Sequence, residues 1–292
     1  MSPDRLVVFR PFRPDTVTTI LCDADGNLFP SEEPAFDASV GVTNRLLQRF
    51  GVSARFTAEE LRRQTTGKNF RTTATDLVAH HGVPIEEKLA EGRGYAVVAS
   101  HDDVAAGRAL TGEELEEWVR REREEVTAHL GSVLAPDRAV CEALRALRTR
   151  YDLAAVSSSA SARLDACFAA TGLDSLIPAA LRFSAEDSLP VPTSKPDPAV
   201  YLFAGQALGL APAQGLAVED SVPGVRSAVA AGFVTIGNLA FVPASERRQR
   251  TTDLAEAGAS AVAGSWRAVA DFLRRPGQAV SPTAGPMAAS RR

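Results

Sequence analysis

Residues 16–28 read TVTTILCDADGNL, and the reading of this stretch decides the fold. Thr16 to Cys22 is β-branched and apolar, which is the composition of a buried strand. It runs straight into Asp23-Ala24-Asp25-Gly26, which is turn chemistry. The sequence therefore places two carboxylates, two residues apart, at the carboxyl end of a strand inside the sheet. The residues before it, to about Asp15, are rich in Pro and Arg and read as an irregular lead-in.

Working outward, the pattern after this strand turns helical. Phe36, Val40, Leu47 and Phe50 recur at helical spacing and Gly51 stops them. Thr57 with Glu60 three residues on reads as a capped helix start. Leu115, Trp118, Val119, Val126 and Leu130 make one stripe on a long charged helix. Residues 86–112 read as a loop or broken helix, with strand signal only at Tyr95 to Ala99. After Pro136 the chain alternates. Helix faces at Val140–Tyr151, Leu164–Phe168, Val200–Leu208, Val225–Val229 and Trp266–Leu273 intervene between strands at Leu153–Val156, Leu216–Val218 and Phe233–Ile236. Such alternation predicts an α/β fold, a parallel sheet covered by helices on both faces. The helical stretch interrupts it after the first strand. The expected organisation is an α/β core of residues 15–30 and 133–275, a helical cap of 31–132, and a disordered tail of 276–292.

Composition narrows the function. The chain has 292 residues, enough for one large domain or two at about 150 residues each. With 32 Lys+Arg against 36 Asp+Glu, the net charge of −4 argues against a nucleic-acid-gripping protein. No apolar run approaches the ~18 residues of a membrane span, and Leu6 to Phe9 is too short for a signal-peptide core. Cys22, Cys141 and Cys167 are odd in number and widely spaced, so neither a disulfide framework nor a zinc pattern arises. A cytoplasmic protein is expected, with neither nucleic acid nor membrane as partner.

Three strands end in polar residues: Asp23 and Asp25, Ser157-Ser158-Ser159, and Glu219-Asp220. In an open parallel sheet, ligands bind at the carboxyl ends of the strands, so up to four carboxylates should converge beside a serine cluster. Clustered negative charges repel unless a cation sits among them. All-oxygen donors suit a hard divalent ion, and Mg²⁺ keeps waters and a substrate phosphate as further ligands.

The constellation resembles the haloacid dehalogenase superfamily, in its β-phosphoglucomutase-like phosphatase and phosphomutase branch. Four motifs carry the resemblance, in order: Asp23-Ala24-Asp25-Gly26-Asn27-Leu28 continued by Ser31-Glu32; Val156-Ser157-Ser158-Ser159; Ser194-Lys195-Pro196-Asp197-Pro198; and Val218-Glu219-Asp220-Ser221-Val222-Pro223-Gly224. The likeness covers about Thr16 to Ile236. It implies a Rossmann-like core and a helical cap inserted after the first strand. It implies Asp23 as nucleophile toward phosphorus, forming an aspartyl phosphate, and Asp25 as general acid and base. It implies Mg²⁺ held by Asp23, Asp220 and the main-chain carbonyl of Asp25, with Glu219 outside or through water. Ser157, Ser158 (through its backbone) and Lys195 would receive the phosphoryl group. Asn27 departs from the pattern, which has Thr or Val there. Gly67, Lys68 and Arg71 lie where related proteins carry a substrate-touching loop.

Taken singly, these residues have plainer readings. Asp23 and Asp25 alone are also a strand-end turn. Lys195 alone is a surface lysine, and Gly67 to Arg71 reads equally as a solvated helix start. The four motifs together imply a Mg²⁺-dependent phosphatase acting on a small phosphorylated metabolite, a sugar or polyol phosphate. The alternatives are a sugar phosphomutase and a non-catalytic binding protein that kept the fold. A dehalogenase fits less well, because that branch does not need the second aspartate, Asp25.

Overall fold

A computed structural model describes residues 5–65 and 69–274. Gly67, Lys68 and the 276–292 tail lie outside the described residues. The chain divides into two compact units, one formed by residues up to Pro30 and from Leu134, the other by Ser31–Val133.

The first unit is built on a seven-stranded sheet in the order β1-β7-β6-β5-β2-β3-β4. Its strands are β1 (Leu6–Val8), β2 (Thr19–Cys22), β3 (Asp152–Ser157), β4 (Arg182–Ser184), β5 (Gly215–Glu219), β6 (Val234–Asn238) and β7 (Ala261–Ala263). All neighbours run parallel except β1, which pairs antiparallel with β7 at the edge. This corrects the expected lead-in. Leu6–Val8 is a strand, and Pro14–Thr16 is a short 3-10 turn, so the central strand begins at Thr19 rather than Thr16. A three-residue strand is too short to show a period.

β2 lies between β3 and β5 with all four residues buried. Strands buried on both faces read as continuous apolar runs, which is why Thr19–Cys22 shows no alternation. On one face Leu21, Ala154, Val156 and Ala217 pack with Val200, Tyr201 and Ala204 of α9 (Ala199–Ala207). Ile20 and Cys22 point to the other face and are also fully buried.

Among the described residues, five further α-helices belong to the unit: α7 (Arg138–Arg148) and α8 (Ser161–Thr171) before α9, and α10 (Val222–Ala230), α11 (Arg247–Ala257) and α12 (Trp266–Leu273) after it. α7 buries the predicted face of Val140, Leu144 and Leu147, and the Asp137 carboxylate caps it by accepting from Val140 N at 2.9 Å. Such a cap contributes about 1 kcal/mol.

The inserted unit is helical: α1 (Glu32–Arg49), α2 (Ala58–Thr65), α3 (Phe70–His80), α4 (Glu87–Ala90), α5 (His101–Ala105) and α6 (Gly112–Val133). Its core joins Val42, Leu46 and Leu47 of α1 to Ala74 and Val78 of α3 and to Leu115 and Trp118 of α6. Ion pairs Arg45–Glu125 and Arg49–Glu114 show that α1 and α6 run antiparallel. The expected start at Thr57 is present: Thr57 N donates to Glu60 Oε2 at 2.9 Å, and Glu60 N donates to Thr57 Oγ1 at 3.2 Å. Within 95–99 the strand signal amounts to one isolated bridge, Val98 with Ile85.

Candidate active site

Register brings the site together. Cys22 pairs with Ala155 on β3 and with Val218 on β5. The next residues up are Asp23, Val156-Ser157 and Glu219-Asp220, so three strand ends deliver their polar groups to one edge. Behind Asp23 the chain turns through Gly26 at φ 72°, a conformation that glycine adopts without strain. Leu28 N donates to Ala24 O at 2.8 Å and fixes that turn.

The centre is a buried charge cluster. Asp23, Glu219 and Asp220 offer carboxylate oxygens within 4.8 Å of one another, and all three residues are buried. The Lys195 ammonium donates to Asp23 Oδ1 at 2.5 Å, to Glu219 Oε1 at 2.6 Å and to Val156 O at 2.8 Å. Burial opposes the lysine charge, but the two carboxylates outweigh it and hold Lys195 above its usual range. Asp23 is pushed well above the carboxylate range by burial and then by the charge of Glu219, against the pull of Lys195. Both directions have one cause, several acids crowded on one lysine. Such a donor set fits a further hard cation.

Glu219 is held from three sides. Tyr201 Oη donates to Glu219 Oε1 at 2.7 Å, and the lysine shares that oxygen. Burial, then the Glu219 charge, raises the Tyr201 phenol well above its usual range, so it remains a donor. Below, the carboxylate packs onto Gly224 in the first turn of α10. A Cβ there would lie 1.8 Å from Glu219 Oε2. Gly224→Ala is therefore expected to displace Glu219, costing about 1–3 kcal/mol of stability and much of the activity. A thermal melt with a wild-type midpoint would refute this.

Asp25 points elsewhere. Its Oδ2 accepts from Ser159 Oγ at 2.8 Å and from Ser157 Oγ at 3.3 Å, and its Oδ1 accepts from Arg163 Nη2 at 2.9 Å. Ser158 serves the lysine loop, its Oγ accepting from Lys195 N at 3.1 Å. That loop is tied to α10 by Ser227 Oγ donating to Asp197 O at 2.6 Å, and its Lys195–Pro196 peptide is cis.

Asp23, Lys195, Glu219 and Asp220 are thus brought together, with Ser157, Ser158 and Asp25 adjoining. Arg71 instead pairs with Glu116 inside the inserted unit, and Gly67 and Lys68 fall outside the described residues. Sequence reasoning missed three groups. Arg163 sits in the first turn of α8, where a cation opposes the helix dipole, and that misplacement was its one signal. Tyr201 read only as a helix-face apolar residue. Asn238, whose amide donates to Asn27 Oδ1 at 2.7 Å, had no spacing to reveal it.

A family model for haloacid dehalogenase-like hydrolases matches residues 17–232. A CBBY-like protein of Arabidopsis thaliana is 48% identical over 46 residues, a match spanning 16% of this chain and 14% of that protein. Among solved structures, a haloacid dehalogenase-like protein of Agrobacterium tumefaciens is 22% identical with a TM-score of 0.59, over 88% of this chain and 97% of that one. CbbY of Rhodobacter sphaeroides, in complex with xylulose-1,5-bisphosphate, is 20% identical with a TM-score of 0.57, over 86% and 95%. A hydrolase of the same family from Deinococcus radiodurans, with bound phosphate and sodium, is 23% identical with a TM-score of 0.54, over 87% and 94%. At these identities the structural likeness is one of fold.

Proposed function

The chain belongs to the haloacid dehalogenase-like hydrolases, and from that premise we propose that it is a Mg²⁺-dependent phosphatase of a small sugar or polyol phosphate. The observation that carries the reading is the cluster itself: a buried aspartate at the end of the central strand, bonded to a buried lysine, beside two further acids. The three buried cysteines are free, which suits a reducing, cytoplasmic setting.

Asp23 attacks phosphorus through a carboxylate oxygen as the bond from phosphorus to the substrate oxygen breaks, leaving an aspartyl phosphate. Asp25 gives its proton to the departing oxygen, then takes one from the water that cleaves the acyl phosphate. Inorganic phosphate leaves and Asp23 is restored. Lys195 and the hydroxyl of Ser157 stabilise charge on the phosphoryl oxygens. Asp23, Asp220, the Asp25 carbonyl and Glu219 are the groups that would hold Mg²⁺. When bound, the ion neutralises charge on the phosphoryl group and on the acids around it. Arg163 and Ser159 orient Asp25.

The test is a panel of phosphorylated sugars and polyols with the purified protein. Phosphate release that needs Mg²⁺ and stops with a chelator is expected. Release unaffected by the chelator counts against the metal assignment. Isomerised sugar phosphate without net release, seen by ³¹P NMR, would instead identify a phosphomutase.

A further inference from the structure

We propose that Asn27 and Asn238 form a positioning pair that sets the spacing of the strand ends bearing the metal-holding carboxylates. The proposal rests on the metal site put forward above. Asn27 is fully buried in the turn behind Asp23. Its Nδ2 donates to Asp23 O and to Val218 O, both at 2.9 Å. Those carbonyls belong to neighbouring chain segments, at the ends of β2 and β5, where the ladder finishes with Asp23 N donating to Val218 O at 2.9 Å. One amide thus joins the residue that carries the first acid to the residue that precedes Glu219 and Asp220.

The side-chain type matters. A carboxamide NH₂ presents two hydrogens in a fixed plane and can bridge two carbonyls, whereas a hydroxyl has one hydrogen to give. The amide plane is itself set from the third strand. Asn238, fully buried at the end of β6, donates through Nδ2 to Asn27 Oδ1 at 2.7 Å and accepts at Oδ1 from Ala240 N at 3.2 Å. From the other side Trp266 Nε1 donates to Asn27 O at 2.7 Å. Three strand ends are therefore tied by two amides, directly behind the acids.

Mg²⁺ demands near-octahedral geometry at about 2.0–2.1 Å, while Ca²⁺ accepts looser shells at about 2.3–2.6 Å. A device that fixes the separation of the acids therefore favours the smaller ion. Partners that orient ligands typically change metal affinity about 10–100-fold.

The experiment is calorimetric titration of the metal-free full chain with MgCl₂ and, separately, CaCl₂. It compares wild type, Asn27→Thr, Asn238→Ala and the double variant, with melting of each metal-free protein alongside. The Mg²⁺ Kd is expected to rise about tenfold in Asn27→Thr, with a smaller rise for Ca²⁺. The double variant should be no worse than Asn27→Thr, because Asn238 acts through Asn27. Lowered melting points with unchanged Kd values would show a purely structural role and overturn the proposal. Equal losses for both ions, or additive losses in the double variant, would do the same. If Asn27→Thr does not fold, Asn238→Ala carries the test: it leaves the Asn27 bridge in place, frees its orientation and removes the acceptor of Ala240 N, and a wild-type Mg²⁺ Kd in it would overturn the proposal. A wild type that binds no Mg²⁺ takes down the metal reading and this inference together. Binding by wild type with unaltered variants takes down this inference alone.

Discussion

Asp23→Asn is expected to lower phosphate release by at least about 10⁴-fold while leaving the protein folded. Loss of a covalent nucleophile removes the two-step route entirely, and knockouts of such groups fall in this range. The fold should survive because Asn is isosteric and its Oδ1 can still accept from Lys195, which now bonds Asp23 Oδ1. The metal-free protein should melt no lower than wild type. Burial and Glu219 already hold the Asp23 carboxyl well above its usual range, so the substitution removes an unfavourable charge. The measurement pairs steady-state phosphate release with a thermal melt. Activity within tenfold of wild type would falsify the nucleophile assignment.

The second large effect is at Lys195. Its side chain is 5% exposed, between Asp23 at 9% and Glu219 at 0%. Removing one partner of a buried ion pair leaves an uncompensated charge and costs about 3–5 kcal/mol. Lys195→Met, which keeps the apolar stem, is expected to lose about that much stability in the metal-free protein, along with nearly all activity. Adding Glu219→Gln should return part of the stability but none of the activity, because the phosphoryl group still lacks its cation. A Lys195→Met protein as stable as wild type would show that the lysine charge is not what holds the acids together.

The parallel core and its helical interruption were legible because they rest on local pattern. The runs TILC, LAAV and LAVE are apolar strands that end in acids or serines, and Gly51, Gly172, Gly209 and Gly232 punctuate the helices. The edges were not legible. β1, β4 and β7 are three residues each, too short for a period, and Ala261–Ala263 is as compatible with a helix. At the site, the acids, serines and lysine stood in recognisable local motifs. Arg163, Tyr201 and Asn238 were hidden because their partners lie 138, 18 and 211 residues away. A hydrogen bond that exists only after the sheet has formed leaves no trace in spacing.

The antiparallel pairing of α1 with α6 bears on how the chain finds this fold. Thr19 of the central strand must pair with Asp152 and with Gly215, partners far along the chain, and contacts of high sequence separation slow folding. The apolar packing of Val42, Leu46 and Leu47 with Leu115 and Trp118 holds the first helix of the insertion to its last, and the half-exposed Arg45–Glu125 and Arg49–Glu114 pairs mark their antiparallel register. Once they meet, Pro30 and Leu134 are drawn toward each other, and the loop that β2 must close against β3 becomes effectively short. The insertion then acts as its own clasp, sparing the sheet most of the entropic burden of the hundred residues spliced into it.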